Sequence, residues 1–431
     1  MRFVPYSNYK DSGVEWLGNI PSDWKVVRFS TVFTENKRKN KGLIEKNVLS
    51  LSYGNIKEKN IETNKGLLPE SFETYQIVEP NDIIFRFTDL QNDKKSLRNG
   101  ISKYHGIITS AYLNVKTNQD ADYYNYLFRS YDLQKVFYSM GDGMRQSLKI
   151  DELNLMPILL PDLDKQKDIV EFLKIEMRKI DNLISKQEQL IKLLDEQRKA
   201  VILQAITKGL NLDLSMKQSG IDWIGAMPKK WQLKRLKQIA SVVLGKMICN
   251  ENQGDMLLKP YLKSKNIQWL NVNLNSVDEM WFSAKELDMY KLHKDDLILS
   301  EGGEVGKTCI WNNELDECYI QNSAHKVTLC EGYNAHYYLY FFYSMGHLGQ
   351  FDRVINKVSI AHLTKEKLLN IPVLIPSIDE QNQIVEFIES ENRKINNLIN
   401  KQSKLIEKLK EYRSSIISHA VTGKIDVREA L

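Results

Sequence analysis

The chain contains two copies of one module. Lys10-Asp-Ser-Gly13-Val-Glu-Trp16-Leu-Gly18-Asn-Ile-Pro21-Ser-Asp-Trp24 returns as Lys217-Gln-Ser-Gly220-Ile-Asp-Trp223-Ile-Gly225-Ala-Met-Pro228-Lys-Lys-Trp231. A longer block, from Pro157-Ile-Leu-Leu-Pro161 through Ile169-Val-Glu-Phe172 to Thr207, returns from Pro372-Val-Leu-Ile-Pro376 through Ile384-Val-Glu-Phe387 to Thr422. Between these anchors the halves diverge. A repeat that is alike at its ends and different in its middle predicts a pseudo-two-fold object presenting two different surfaces on one frame.

Each copy reads as a globular part followed by a long helix. Pro157 and Pro161 close the first globular part, because each removes a backbone donor and restricts the residue before it. From Asp164 to about Thr207 there is no Gly or Pro, and apolar residues recur at heptad spacing. One heptad line runs Leu173, Ile180, Gln187, Leu194, Val201 and the other Ile169, Glu176, Leu183, Leu190, Gln197. The second copy repeats them as Ile388, Ile395, Gln402, Leu409, Ile416 and Ile384, Glu391, Leu398, Leu405, Tyr412. A helix of about 40 residues with one apolar stripe is unstable alone in water, and its repeat is the obvious partner. Antiparallel pairing is expected, with the rod length setting the separation of the two globular parts. Gln187 and Gln402 share a seam position, where a polar residue either fixes register or faces water at the edge.

The variable middles keep faint kinship. Asp82-Ile-Ile-Phe-Arg86 matches Asp296-Leu-Ile-Leu-Ser300, Ser110-Ala111 matches Ser323-Ala324, and Tyr123-Tyr-Asn-Tyr126 matches Tyr337-Tyr-Leu-Tyr340. Short β-type runs dominate up to about Val115 and Leu329, and a helix follows in each. The expected class is α+β: two mixed α/β domains joined by two long helices.

The net charge of +5 and pI near 8.6 are compatible with a nucleic-acid surface without demanding one. No apolar run approaches the ~18 residues that span a bilayer, and the first residues lack a signal-peptide core, so a cytoplasmic protein is expected. Cys249, Cys309, Cys318 and Cys330 all fall in the second copy, which argues against a disulfide framework shared by both. No zinc-ligand spacing occurs, and no metal site is expected. Glu301-Gly-Gly-Glu-Val-Gly306-Lys307-Thr308 imitates a phosphate loop, but Glu301 stands where the first glycine belongs, and strand-like residues follow. Pro161-Asp162-Leu-Asp164-Lys165 reads as a helix cap rather than a nuclease motif. No Asn-Pro-Pro-aromatic loop, Gly-rich cofactor loop or set of nucleophile and base is present, so no catalytic residue is assigned.

Groove-reading residues are better supplied. The first copy offers Arg86, Gln91, Asn92, Lys94, Lys95 and Arg98, then Arg145 and Gln146 before the long helix. The second offers Lys263, Lys265, Asn266, Lys307, Gln321 and Asn322, then Lys357. Arg, Gln and Asn make paired hydrogen bonds to base edges, and Lys suits phosphates.

These features together resemble the specificity subunit of type I restriction–modification systems. The resemblance covers essentially the whole chain. It rests on the doubled Trp-x-Gly-x-x-Pro-x-x-Trp entry, the doubled Pro-x-x-x-Pro-x-x-x-x-Gln-x-x-Ile-Val helix start, and the endings Ala205-Ile-Thr207-Lys-Gly and Ala420-Val-Thr422-Gly-Lys. It implies target recognition domains at 1–158 and 214–373 and conserved helical regions at 159–213 and 374–431. Each recognition domain would read half of a split double-stranded DNA site, and the paired helices would set the gap. Two methyltransferase subunits would bring S-adenosylmethionine, and restriction or translocase subunits would bring ATP and Mg2+; no cofactor is expected in this chain. A fused restriction–methylation enzyme, or a coiled-coil scaffold without DNA binding, are the alternatives.

Overall fold

The structure is a computed structural model that describes residues 4–60, 69, 71–88, 97–140, 148–211, 213–355 and 362–428. The chain forms two compact units, residues 1–187 with 403–431 and residues 188–402. Each unit combines an entry hairpin, a mixed α/β domain and one half of each long helix.

In the first unit the entry strands Tyr9–Asp11 and Asn19–Pro21 pair antiparallel, and Lys25–Arg28 pairs with Pro157–Leu160 just before the long helix. The domain core is a four-stranded sheet in the order Phe33–Glu35, Leu113–Thr117, Ile83–Phe85, Asn99–Ile101. The second unit repeats the entry hairpin with Met216–Gln218 and Ala226–Pro228, and the closing pair with Gln232–Arg235 and Pro372–Ile375. Its sheet has the same order: Ala240–Leu244, Ala324–Leu329, Leu297–Ser300, Thr308–Ile310. The kinship of Asp82 with Asp296 is structural. Both carboxylates are buried and accept the backbone N–H three residues upstream, from Glu79 at 3.0 Å and His293 at 2.8 Å. Asn81 and Asp295, just before them, both take the left-handed conformation, at φ 72° and 69°.

Four helices organise the frame: α1 (Ala121–Leu133), α2 (Leu163–Lys208), α3 (Ala335–His347) and α4 (Ile378–Val421). The glutamine of the repeated helix-start motif explains itself here. Gln166 is fully buried; its Nε2 donates to the Pro161 carbonyl at 2.8 Å and its Oε1 accepts the N–H of Asp120, the α1 cap, at 3.1 Å. Gln381 does the same with Pro376 at 3.0 Å and with Asn334, the α3 cap, at 2.9 Å. One amide thus satisfies two buried backbone groups and locks a domain helix to a long helix. The paired tyrosines finish the joint. Tyr123 donates to the Val421 carbonyl at 3.0 Å and Tyr337 to that of Ile206 at 2.9 Å.

Each unit contains the beginning of one long helix and the end of the other, and the two run antiparallel within it. In the first, Leu173 and Ile180 of α2 share a core with Ile416, Ile417 and Ala420 of α4, and Arg413 pairs with Asp181. In the second, Ile202 and Ile206 share a core with Ile384 and Ile388, and Arg198 donates to Asn396 at 2.6 Å. The expected seam is corrected in one respect. The line through Leu173, Ile180, Leu194, Ile388, Ile395 and Ile416 is buried, whereas Leu183, Leu190, Leu398, Leu405 and Tyr412 of the other line are 38–45% exposed. Gln187 and Gln402 are half-buried.

The repeated helix endings are ties to the entry segments. Lys208 donates to the carbonyls of Ile224, at 2.7 Å, and Ala226, in the hairpin of the second copy. Lys424 donates to Leu17, at 2.9 Å, and Asn19, in the hairpin of the first. Gly423, at φ 69°, lies against Trp24 and Pro21, where a Cβ would meet Pro21 Cδ at 2.4 Å. Val4 bridges Asp426, bringing the first and last described stretches of chain together.

Candidate nucleic-acid interface

The second unit gathers distant polar segments at one edge of its domain. The strand Met256–Leu262 runs parallel to Tyr319–Ile320, and the Gln321 N–H continues the ladder by donating to the Leu262 carbonyl at 2.9 Å. Beyond it, the turn Ser264–Asn266 is held against the next turn by Ser264 N–H donating to Ser323 Oγ at 2.9 Å. The loop after Leu297–Ser300 joins through Glu301 N–H to the Ser323 carbonyl at 2.9 Å, and Lys307 reaches Gln268 Oε1 at 3.3 Å. Backbone pairing therefore brings together Lys263, Lys265, Lys307, Gln321 and Asn322, which are scattered over some sixty positions of sequence.

The lysines are tethered but accessible. Lys263 and Lys265 both approach Asp278, Lys265 at 3.8 Å, and the Lys263 hydrogen bond holds the Asp278 carboxyl below the usual carboxylate range. Lys307, whose side chain is only 15% exposed, pairs with the exposed Glu304. Such exposed pairs contribute little to stability and exchange readily for a phosphate oxygen. Gln321 is preset as well: its Oε1 accepts from Ser323 N at 3.1 Å and Ser323 Oγ at 2.5 Å, and its Nε2 donates to Asn322. A half-exposed row of amides flanked by lysines offers both base-edge and phosphate chemistry.

Two expected contact residues are committed to the fold instead. Asn266 is 1% exposed; its amide donates to the Asn273 and Ser276 carbonyls, each at 2.9 Å, and accepts the Lys263 N–H at 3.1 Å. Arg98 is fully buried, donating to the Thr88 carbonyl at 3.1 Å and to Tyr138 at 3.4 Å, with its own N–H on Asp132 at 2.9 Å. An arginine closed inside a domain cannot reach a groove. Arg86 is half-buried at a strand end, its N–H on the Arg98 carbonyl at 2.8 Å. Gln91, Asn92, Lys94, Lys95, Arg145, Gln146 and Lys357 lie outside the described residues.

Sequence reasoning missed several members of the edge. Asp278 arrives from an unremarkable strand, and Glu301 was weighed only against a phosphate loop. Its carboxylate accepts from His362 at 2.9 Å, and the Leu363 N–H returns to the Glu301 carbonyl at 2.9 Å. Behind it, His325 is buried with Nε2 2.5 Å from the Leu363 carbonyl, and burial lowers its pKa. Nothing in the local sequence marks these residues; long-range pairing alone assembles them. Among the described residues no cluster of three or more His, Cys, Asp or Glu could hold a metal ion, and no helix is long and apolar enough to cross a membrane.

Comparison with known proteins gives consistent likenesses. Residues 228–408 match the Type I restriction modification DNA specificity domain. The type I restriction enzyme MjaVIII specificity subunit of Methanocaldococcus jannaschii is 23% identical over 99% of this chain and 98% of that protein. Over its whole length the chain is similar to type I restriction–modification specificity subunits. Among solved structures, the HsdS subunit from Thermoanaerobacter tengcongensis has the same fold, with a TM-score of 0.55 at 16% identity over 94% of this chain and 98% of that one. A chain solved in work on complex assembly and conformational transition of the type I R-M system has a TM-score of 0.68 at 15% identity, over 94% and 99%. What the two copies of this chain share lies in the joints of the frame, at Gln166 and Gln381 and at Lys208 and Lys424, more than in the polar loops.

Proposed function

We propose that this specificity subunit reads a split double-stranded DNA site, one half-site per recognition domain, and contributes no catalysis of its own. The observation that carries this reading is the pair of sheets with identical strand order on identical helix joints, bearing different polar segments. A frame kept in duplicate with loops that differ is what two-part recognition requires. The edge built from Lys263, Lys265, Lys307, Gln321 and Asn322 is the reading surface of the second domain. The exposed line Leu183, Leu190, Leu398, Leu405 and Tyr412 is apolar surface on the long helices suited to partner helices. Methyltransferase subunits dock there with S-adenosylmethionine, and restriction or translocase subunits join with ATP and Mg2+, in the cytoplasm.

The test is methylation mapping with the methyltransferase partner present. Adenine methylation in two half-sites separated by unspecified bases is expected, and replacing residues 25–150 by those of a relative should change one half-site only. Methyl transfer by the purified chain alone, or both half-sites changing together, would overturn the reading.

A further inference from the structure

The first unit holds a cleft of about 600 Å³ where the recognition domain meets the beginning of α2. Five cationic side chains line it: Lys57 and Lys103 from the domain loops, Arg129 from α1, and Lys174 and Arg178 from α2. Only two carboxylates face them, and both are engaged, Asp122 by Lys174 at 2.5 Å and Asp181 by Arg413. Lys57, Lys103 and Arg178 are exposed and make no ion pair among the described residues. Arg129 donates through Nη2 to the Gly54 carbonyl at 2.9 Å, but its Nε is buried without a partner among the described residues. Unsatisfied guanidinium donors beside an open cleft are costly unless something accepts from them.

The internal repeat supplies a control. Registering Tyr123-Tyr124 on Tyr337-Tyr338 and Ile169-Val170 on Ile384-Val385 places His336 at Asp122, Tyr343 at Arg129, Glu389 at Lys174 and Asn396 at Asp181. The geometry agrees, because His336 lies 3.8 Å from Glu389 where Asp122 meets Lys174, with the polarity reversed. Tyr343 packs on His347, ring centroids 4.0 Å apart. Of the α2 cations only Arg178 has a counterpart, Arg393. The shared frame therefore folds in the second unit without this concentration of positive charge.

We infer that this cleft binds phosphate oxyanions, and that the phosphates are those of the DNA backbone. The inference rests on the DNA-recognition reading above. The cations spread from the domain loops to the long helix, which matches an extended polyanion better than a single small phosphate. Phosphate contacts of this kind fix where the duplex lies and carry no sequence information.

The test needs no knowledge of the target. The full chain, wild type and carrying Asp122→His, Arg129→Tyr and Lys174→Glu to install the second unit's own residues, is titrated with a labelled duplex of random sequence across a salt series. Lys57→Ala with Lys103→Ala is a milder second variant. The expected result is that the salt dependence of binding falls by about one to two phosphate equivalents and affinity by about 10-fold at ~0.15 M salt, with the melting temperature of the Lys57→Ala, Lys103→Ala variant unchanged. An unchanged salt slope in both variants overturns the inference while leaving the DNA reading intact. Wild type that binds no duplex, with or without its methyltransferase partner, overturns the DNA reading itself. Inorganic phosphate and a nucleoside triphosphate are titrated in parallel. Binding of either that the variants abolish, without a change in salt slope, overturns the assignment to the DNA backbone.

Discussion

Gln166 and Gln381 show how much one side chain decides when it is buried. Each amide serves a proline carbonyl and a helix-cap N–H, so a leucine of the same shape would leave both orphaned at a cost of about 2–3 kcal/mol. Gln381→Leu should therefore lower the melting temperature by several degrees, and Gln166→Leu likewise, as read by calorimetry. His325 makes a different prediction. Its pKa is lowered by burial, so the unfolded chain takes up the proton more readily, and stability falls as pH drops below the ordinary histidine value near 6.5. Its Nδ1 has no partner among the described residues, which leaves a charge there unpaired. His325→Gln keeps a donor toward the Leu363 carbonyl and should abolish the loss of melting temperature between pH 7 and about 5.5; an equal loss in the variant would exclude His325 as its source. Arg98 and Asn266 belong to the same scale. Both are polar residues of the type expected at a groove, and only burial reveals that they build the domain.

At the scale of elements, the long helices were legible in the heptads, and their choice of seam was not. Both apolar lines satisfy the spacing and both are buried near the helix starts, at Ile169 and Ile384, but further along only the line of Ile180, Leu194 and Ile395 is covered. Ile180→Ala or Ile395→Ala should cost about 2–4 kcal/mol in denaturant unfolding, because each leaves a hole in a closed seam. Leu190→Gln or Leu398→Gln should change stability by less than about 0.5 kcal/mol, since both residues are substantially exposed. The same two variants should weaken association with the methyltransferase partner, measured by co-purification. The helix ends have a cost of their own. Four residues inserted near Ala205 would carry Lys208 off the Ile224 and Ala226 carbonyls, so lengthening the helix there tests the joint as well as the gap between half-sites.

At the scale of the whole molecule, each copy is completed by the other. The end of α2 ties to the second entry hairpin and the end of α4 to the first, and Val4 meets Asp426. Joining residue 428 to residue 4 through a short linker and opening the chain between Gly209 and Ser215 should preserve the fold, with unchanged far-ultraviolet circular dichroism and melting within a few degrees of wild type. The duplication, the α+β class and the two long helices were all readable from residue order, because repeats and heptads are local patterns. The edge that gathers Lys263, Asp278, Glu301, Lys307, Gln321 and His362 was not, nor was the cationic cleft around Arg129. Strand pairing and helix packing join residues far apart in sequence, and burial then decides which polar groups hold the fold together and which are left facing solvent for a ligand. By itself the sequence determined that there would be two frames with two different faces. Tertiary structure alone decided which apolar line closes and which end of each helix completes which copy, because these choices depend on what the other segment presents in space.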